Sequence, residues 1–238
     1  KDTWGYGQLK ACGLHDFLHE IIVSKSKEQN FTTIATGYCT RWPVKVRHLA
    51  IHNFTDNPQD FSSLKCLRSV EIFRYEDPLT TSFLSKFLCG GPKFLTVLDL
   101  EGAELDNIPK EVFKLFHLKY LNLHGTRVKI IPKSIGQLQN LQVLALGETN
   151  IIELPVEILK LRKLRVLLVG RTGDYSNNFT IWGFKSPDGI GKLISLENLQ
   201  SIEADSDKIV REIGKLIQLR RLAITKLRRE DGKELLSS

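Results

Sequence analysis

From Leu95 onward the chain repeats itself with a fixed period. LTVLDLEGAELDNIPKEVFKLFH from Leu95, LKYLNLHGTRVKIIPKSIGQLQN from Leu118 and LQVLALGETNIIELPVEILKLRK from Leu141 are each 23 residues long. Every copy has Leu at its first, fourth and sixth positions, an Ile-Pro or Leu-Pro step (Pro109, Pro132, Pro155) and a closing Leu (Leu115, Leu138, Leu161). An ordinary buried core has no reason to keep a period, whereas stacked units that bury one face against the next must keep one. Weaker copies start at Val46, Leu67, Leu164, Leu196 and Leu219, so eight rows are visible at intervals of 21, 28, 23, 23, 23, 32 and 23. The Leu196 row departs from the pattern, because Ser201 takes its sixth position and Ile202 comes one residue late, which predicts a bulge or a register change.

This pattern matches a leucine-rich repeat. It predicts an α/β solenoid, a leucine-rich-repeat horseshoe of about eight repeats over residues 44–238 whose concave side is one parallel sheet. Alternation along each short strand sends Leu98 and Leu100, Leu121 and Leu123, and Leu144 and Leu146 into a shared core. The residues between them face out: Val97, Asp99 and Glu101; Tyr120, Asn122 and His124; Val143, Ala145 and Gly147; Val166, Leu168 and Gly170. Eight strands about 4.8 Å apart span roughly 34 Å, a surface suited to a protein or peptide partner. The prolines start the return path, where no ladder N–H is wanted, and Thr126, Thr149 and Thr172 stand where a turn-bonding side chain is expected.

The longest interval holds an insertion between Gly173 and Gly189, with Tyr175, Phe179, Trp182 and Phe184 in a Gly- and Ser-punctuated segment. Two readings stand side by side here. The aromatics anchor a partner as a binding loop, or Phe179, Trp182 and Phe184 tuck back over the core.

Several other functions find no support in the residues. The four cysteines, Cys12, Cys39, Cys66 and Cys89, form no CxxC pair, and no metal-ligand spacing accompanies them. The six histidines lie on different elements without a nucleophile elbow, so neither an enzyme nor a metal site is expected. Of the net charge of +7, residues 160–238 supply +6 (16 basic minus 10 acidic). Glu212, Glu230 and Asp231 interrupt that basic stretch and no aromatics interleave with it, so a solvated face is preferred to a nucleic-acid site. The sequons at Asn30, Asn53 and Asn178 are taken as chance, because no signal-peptide core or membrane-length apolar run is visible. The lack of any Met gives the expectation that this is a piece of a longer protein.

Residues 9–31 read as a short strand, a Gly turn and an amphipathic helix with Phe17, Leu18, Ile21 and Ile22 on one face, capped by Asp16. A helix N-terminus attracts anions, which places His15 where a phosphate could bind. The segment Gly-Leu-His-Asp-Phe-Leu-His-Glu-Ile resembles the Met-His-Asp motif that ends the winged-helix part of plant NLR disease-resistance receptors, with Leu14 in place of Met. In that family a repeat array with Thr in place of Asn and Leu-Pro steps follows almost directly, as it does here. The segment IGKLIQLRRLAITKLRREDGKEL is similar to the coiled-coil class of these receptors. The resemblance implies a helical winged-helix remnant and linker over 1–43, followed by the repeats.

The same resemblance implies an innate immune receptor, cytoplasmic or peripheral at the plasma membrane, that detects a pathogen effector or a guarded host protein. In the full-length protein it implies an ADP/ATP switch held off by His15 with its capping neighbour Asp16, slow ATP hydrolysis, intramolecular packing of the repeats on the nucleotide-binding domain, and oligomerisation on activation. This chain contains no GxxxxGK[ST] loop, so no cofactor is expected in it alone. The runner-up is an intracellular leucine-rich-repeat scaffold for protein–protein interaction without a nucleotide domain. An extracellular receptor ectodomain comes third, since it calls for a signal peptide and capping cysteine pairs.

Overall fold

A computed structural model describes residues 2–3, 9–11, 32–36, 46–52, 61–72, 81–175 and 178–227. All eight expected rows contribute a strand to one sheet: β4 (His48–His52), β5 (Ser69–Ile72), β6 (Val97–Asp99), β7 (Tyr120–Asn122), β8 (Val143–Gly147), β9 (Val166–Tyr175), β11 (Asn198–Glu203) and β12 (Arg221–Thr225). They pair in parallel and in sequence order, with β10 (Asn178–Trp182) set antiparallel on β9. One further strand, β3 (Thr32–Thr36), pairs in parallel with β4, so the sheet begins inside the segment expected to be linker. A separate two-stranded pair joins β1 (Asp2–Thr3) to β2 (Leu9–Ala11). The expected helix carrying His15 and Asp16 lies outside the described residues.

The repeat's leucines do what the alternation requires. Leu49, Val70, Leu98, Leu121, Leu144, Leu167 and Leu199 form one inward column, and Ile51, Ile72, Leu100, Leu123, Leu146 and Val169 form the next, all buried. Register pairing of Leu98 with Leu121 and of Leu121 with Leu144 stacks each leucine directly on its neighbour. Opposite the sheet, five of the seven intervals between rows return through a single 3-10 turn: η1 (Ser62–Cys66), η2 (Lys110–Lys114), η3 (Lys133–Gln137), η4 (Val156–Lys160) and η5 (Ile190–Lys192). Pro109, Pro132 and Pro155 stand immediately before three of these, where the ring presets φ and the carbonyl accepts the first turn bond, from Val112, Ile135 and Ile158 N–H at 3.0–3.1 Å.

Thr126 and Thr149 are buried and donate from Oγ1 to the carbonyls of Leu123 and Leu146, each at 2.7 Å. Thr172 departs from that expectation. It is exposed within β9 and bonds instead to the Glu148 carboxylate.

The two long intervals are filled differently. The 28-residue one holds helix α1 (Thr81–Gly90), whose Phe83, Leu84, Phe87 and Leu88 are buried. Phe61 meets Phe83 and Phe87 edge-on at 5.8 and 5.2 Å between ring centroids. In the 32-residue one, β9 runs beyond its neighbours and folds back as the β9–β10 hairpin. Phe184 then forms a parallel bridge with Ile202, at the point where β11 leaves β9. Ser201, at φ 58, absorbs the change, and the β11–β12 register shifts between Leu199 and Ile202. The expected irregularity in this row is therefore present, and its cause is a strand end wedged beside β11. Helix α2 (Asp207–Gly214) follows, burying Ile209, Val210 and Ile213.

Two substitutions test this reading in thermal circular-dichroism melts. Leu121→Asp places an unpaired carboxylate in the leucine column and should abolish the cooperative transition. Thr149→Val removes the hydroxyl that donates to the Leu146 carbonyl and accepts from the Ile151 N–H, and should cost about 1 kcal/mol, lowering the Tm by roughly 3 °C with the fold intact.

Candidate functional site

The outward face of the sheet is built from three columns, each contributed by one position of the repeat. The register runs Ser69, Val97, Tyr120, Val143, Val166, Asn198 and Arg221 in one column and Glu71, Asp99, Asn122, Ala145, Leu168 and Gln200 in the next. Glu101 and His124 follow just beyond the ends of β6 and β7. The twelve residues expected to face out lie on this side of the sheet, Gly147 paired with Gly170 among them. Two of them, Asn122 (4% exposed) and Ala145 (7% exposed), offer almost no surface. They hold the outward positions expected of them, but the face covers their short side chains.

Asn122 is covered because it braces the face. Its Nδ2 donates to Asp99 Oδ2 and Glu101 Oε2, both at 3.2 Å, and its Oδ1 accepts the backbone N–H of His124 at 2.9 Å. Asp99 also accepts from the Glu101 N–H at 3.0 Å and the Tyr120 hydroxyl at 3.3 Å. Despite these bonds its carboxyl is held above the usual carboxylate range, chiefly by burial and further by Glu101. Glu71, one row away in the same column, is also raised, first by partial loss of solvation and then by Asp99. The Tyr120 hydroxyl is pushed strongly upward by burial and by the same carboxylates, so it serves as a donor. His124 lays its imidazole over Gly147, where a Cβ would stand 2.7 Å from Nδ1.

Sequence reasoning passed over Glu71 and the contact between His48 Nδ1 and Ser69 Oγ at 2.7 Å. The signal was available, because Val70 and Ile72 flank Glu71 as Leu98 and Leu100 flank Asp99.

The insertion resolves into two parts. Phe184 is completely buried, so the core reading of the insertion holds for it and the partner-anchor reading does not. Trp182 packs across Gly173, where an added Cβ would lie 2.5 Å from the ring, and Arg171 stacks over it at 4.8 Å. Glu148 ties the hairpin base down by accepting from Thr172 N–H and Oγ1 at 3.0 and 2.7 Å. The backbones of Tyr175 and Phe179 lie in the paired strands, and their side chains are outside the described residues. The C-terminal cations are largely paired on the surface: Lys208 with Asp188, Lys215 with Glu212, and Lys226 with Glu203. No helix among the described residues is long and apolar enough to cross a membrane.

A model for a leucine-rich repeat region matches residues 47–238. The chain belongs to the leucine-rich repeat family. Its relatives include two disease resistance proteins of Arabidopsis thaliana, RPP8, 30% identical over 129 residues, and RPH8A, 30% identical over 127. These alignments cover 50% and 48% of this chain but 14% and 13% of those proteins, so the chain spans about a seventh of the curated relatives it matches. Among solved structures it is similar to the plant peptide hormone receptor RGFR1 in complex with RGF2 (TM-score 0.58, 20% identity, 82% of this chain and 32% of that one). It is also similar to the leucine-rich-repeat ectodomain of the Arabidopsis receptor kinase GASSHO1/SCHENGEN3 (TM-score 0.55, 20% identity, 74% and 21%). At these identities the likeness is one of fold.

The neighbouring carboxylates carry a pH signature. Because Glu71 and Asp99 are raised in the folded chain, the folded state binds more protons than the unfolded one between the ordinary carboxylate pKa and the raised values. Stability contributed by these groups therefore falls as the pH rises through that window. Glu71→Gln should raise the Tm by about 1 °C at pH 7, with the gain vanishing below pH of about 4, as read by melts at the two pH values.

Proposed function

We propose that this chain is the recognition and autoinhibition segment of a plant disease-resistance receptor, presenting its sheet face to a pathogen effector or a guarded host protein. The observation that carries the reading is the outward face itself: a continuous parallel sheet whose core positions are uniform while its outward positions differ from row to row. Such a surface is suited to binding macromolecules by shape and charge. Similarity to disease resistance proteins supplies the biological setting.

The switch belongs to the full-length protein. There, His15 contacts the bound ADP and Asp16 caps the helix that carries it, holding the receptor off until the repeats engage their target. Slow ATP hydrolysis and oligomerisation on activation belong to the same reading. The repeats contribute by packing against the nucleotide-binding domain in the resting state.

Full-length receptor expressed transiently in leaves with its matching effector tests both parts. Leu168→Arg, on a partly exposed outward position, should abolish effector-dependent cell death while the melt of the repeat segment stays within about 2 °C of the parent. His15→Ala should instead give cell death without effector, together with loss of retained ADP. Normal effector response in the first variant, or silence with retained ADP in the second, overturns the corresponding half.

A further inference from the structure

The outward face is divided by chemistry along its length. Rows β5 and β6 bring together Glu71, Asp99 and Glu101; rows β8 and β9 present Val143, Val166 and Leu168; rows β11 and β12 present Asn198, Gln200 and Arg221. A molecule of net charge +7 thus concentrates carboxylates at one end of its sheet. Among the described residues no lysine or arginine acts on Glu71 or Asp99; the ionisable side chains that do are Asp99 and His48 on Glu71 and Glu101 on Asp99. Like charges in adjacent rows are unfavourable, and an incoming cation relieves them.

A second observation comes from the other end. Asn198 is only 7% exposed on the same face, and its Oδ1 has no hydrogen-bond partner. A buried amide oxygen without a donor costs free energy, and rotation of the Asn198 side chain would bring this oxygen from its buried position to an N–H lying on the face. Asp99 and Asn198 lie four strand spacings apart, about 19 Å, which an extended peptide covers in about six residues.

We propose that the sheet face takes an extended basic segment of a protein partner. An Arg or Lys side chain sits against Glu71 and Asp99, apolar side chains lie on Val143, Val166 and Leu168, and a backbone N–H some six residues on reaches Asn198. This rests on the reading of the face as the recognition surface and adds the chemistry of what it recognises. Nucleic acid and anionic membrane meet the wrong charge at the carboxylate end, and an acidic peptide is repelled there.

The test immobilises the chain and applies three octapeptide pools, identical except for a fixed Arg, Ala or Glu at the second position. The Arg pool should be retained about tenfold over the Ala pool at low salt, with the Glu pool weakest. That preference should collapse in Asp99→Asn and, independently, in Glu71→Gln, which breaks no hydrogen bond among the described residues, and it should shrink in 0.5 M salt, where the Debye length is about 4 Å. Equal retention of the three pools, a preference for Glu, or an Arg preference untouched by both variants overturns the proposal. These outcomes are separate from the leaf assay: an intact Leu168→Arg phenotype with no Arg preference leaves the receptor reading and removes the basic segment.

Discussion

Every other feature of this molecule depends on leucines that no single repeat can bury. A three-residue strand with a 3-10 return has one apolar side and nothing of its own to cover it, so each unit is stable only between neighbours. The register pairs Leu98 with Leu121 and Leu121 with Leu144, which makes the 23-residue period a packing requirement. Inserted residues must therefore leave the stack without shifting it. Helix α1 does so by burying its own phenylalanines against Phe61, and the β9–β10 hairpin does so by continuing a strand past the sheet and returning along it.

That return has a local consequence. Phe184 occupies the ladder position beside Ile202 that β9 would otherwise fill, and β11 gives way through Ser201 in the left-handed region. Gly170 and Gly183 lie at the crowded junction, where an added Cβ would stand 2.5 Å from Ser201 Cβ and 2.1 Å from Thr225 Oγ1 respectively. The hairpin is thus anchored by core packing at its exit and by Glu148 and Arg171 at its base.

How much of this was legible follows from what each signal measures. The leucine period reports direct stacking, so the eight rows, the inward columns and the irregular Leu196 row could be read from spacing alone. Strand β3 could not, because TTIAT lacks the leucines of the other rows and pairs at an interval of 16 residues. Alternation gives a residue's side but not its exposure: Asn122 and Ala145 stand on the outward face as expected and yet are buried. Phe184 and Trp182 are two residues apart in a segment with no period, and only the path of the chain decides that one is core and the other rests on the hairpin. Glu71 was readable and was missed because its row is a weaker copy.

The separation of inward from outward positions also explains how such a scaffold can change what it recognises. Asp99, Asn122, Ala145 and Leu168 hold the same place in successive rows with an acid, an amide, a methyl and an isobutyl group, while the leucines beside them stay uniform. Substitution in that column leaves the transfer of the core leucines out of water unchanged. The freedom has a limit set by neighbours. Asn122 clasps Asp99 and Glu101, and His124 needs the missing side chain of Gly147, so these outward positions are coupled across rows. Recognition can therefore be retuned one residue at a time at Leu168 or Val166, whereas the acidic end changes as a group.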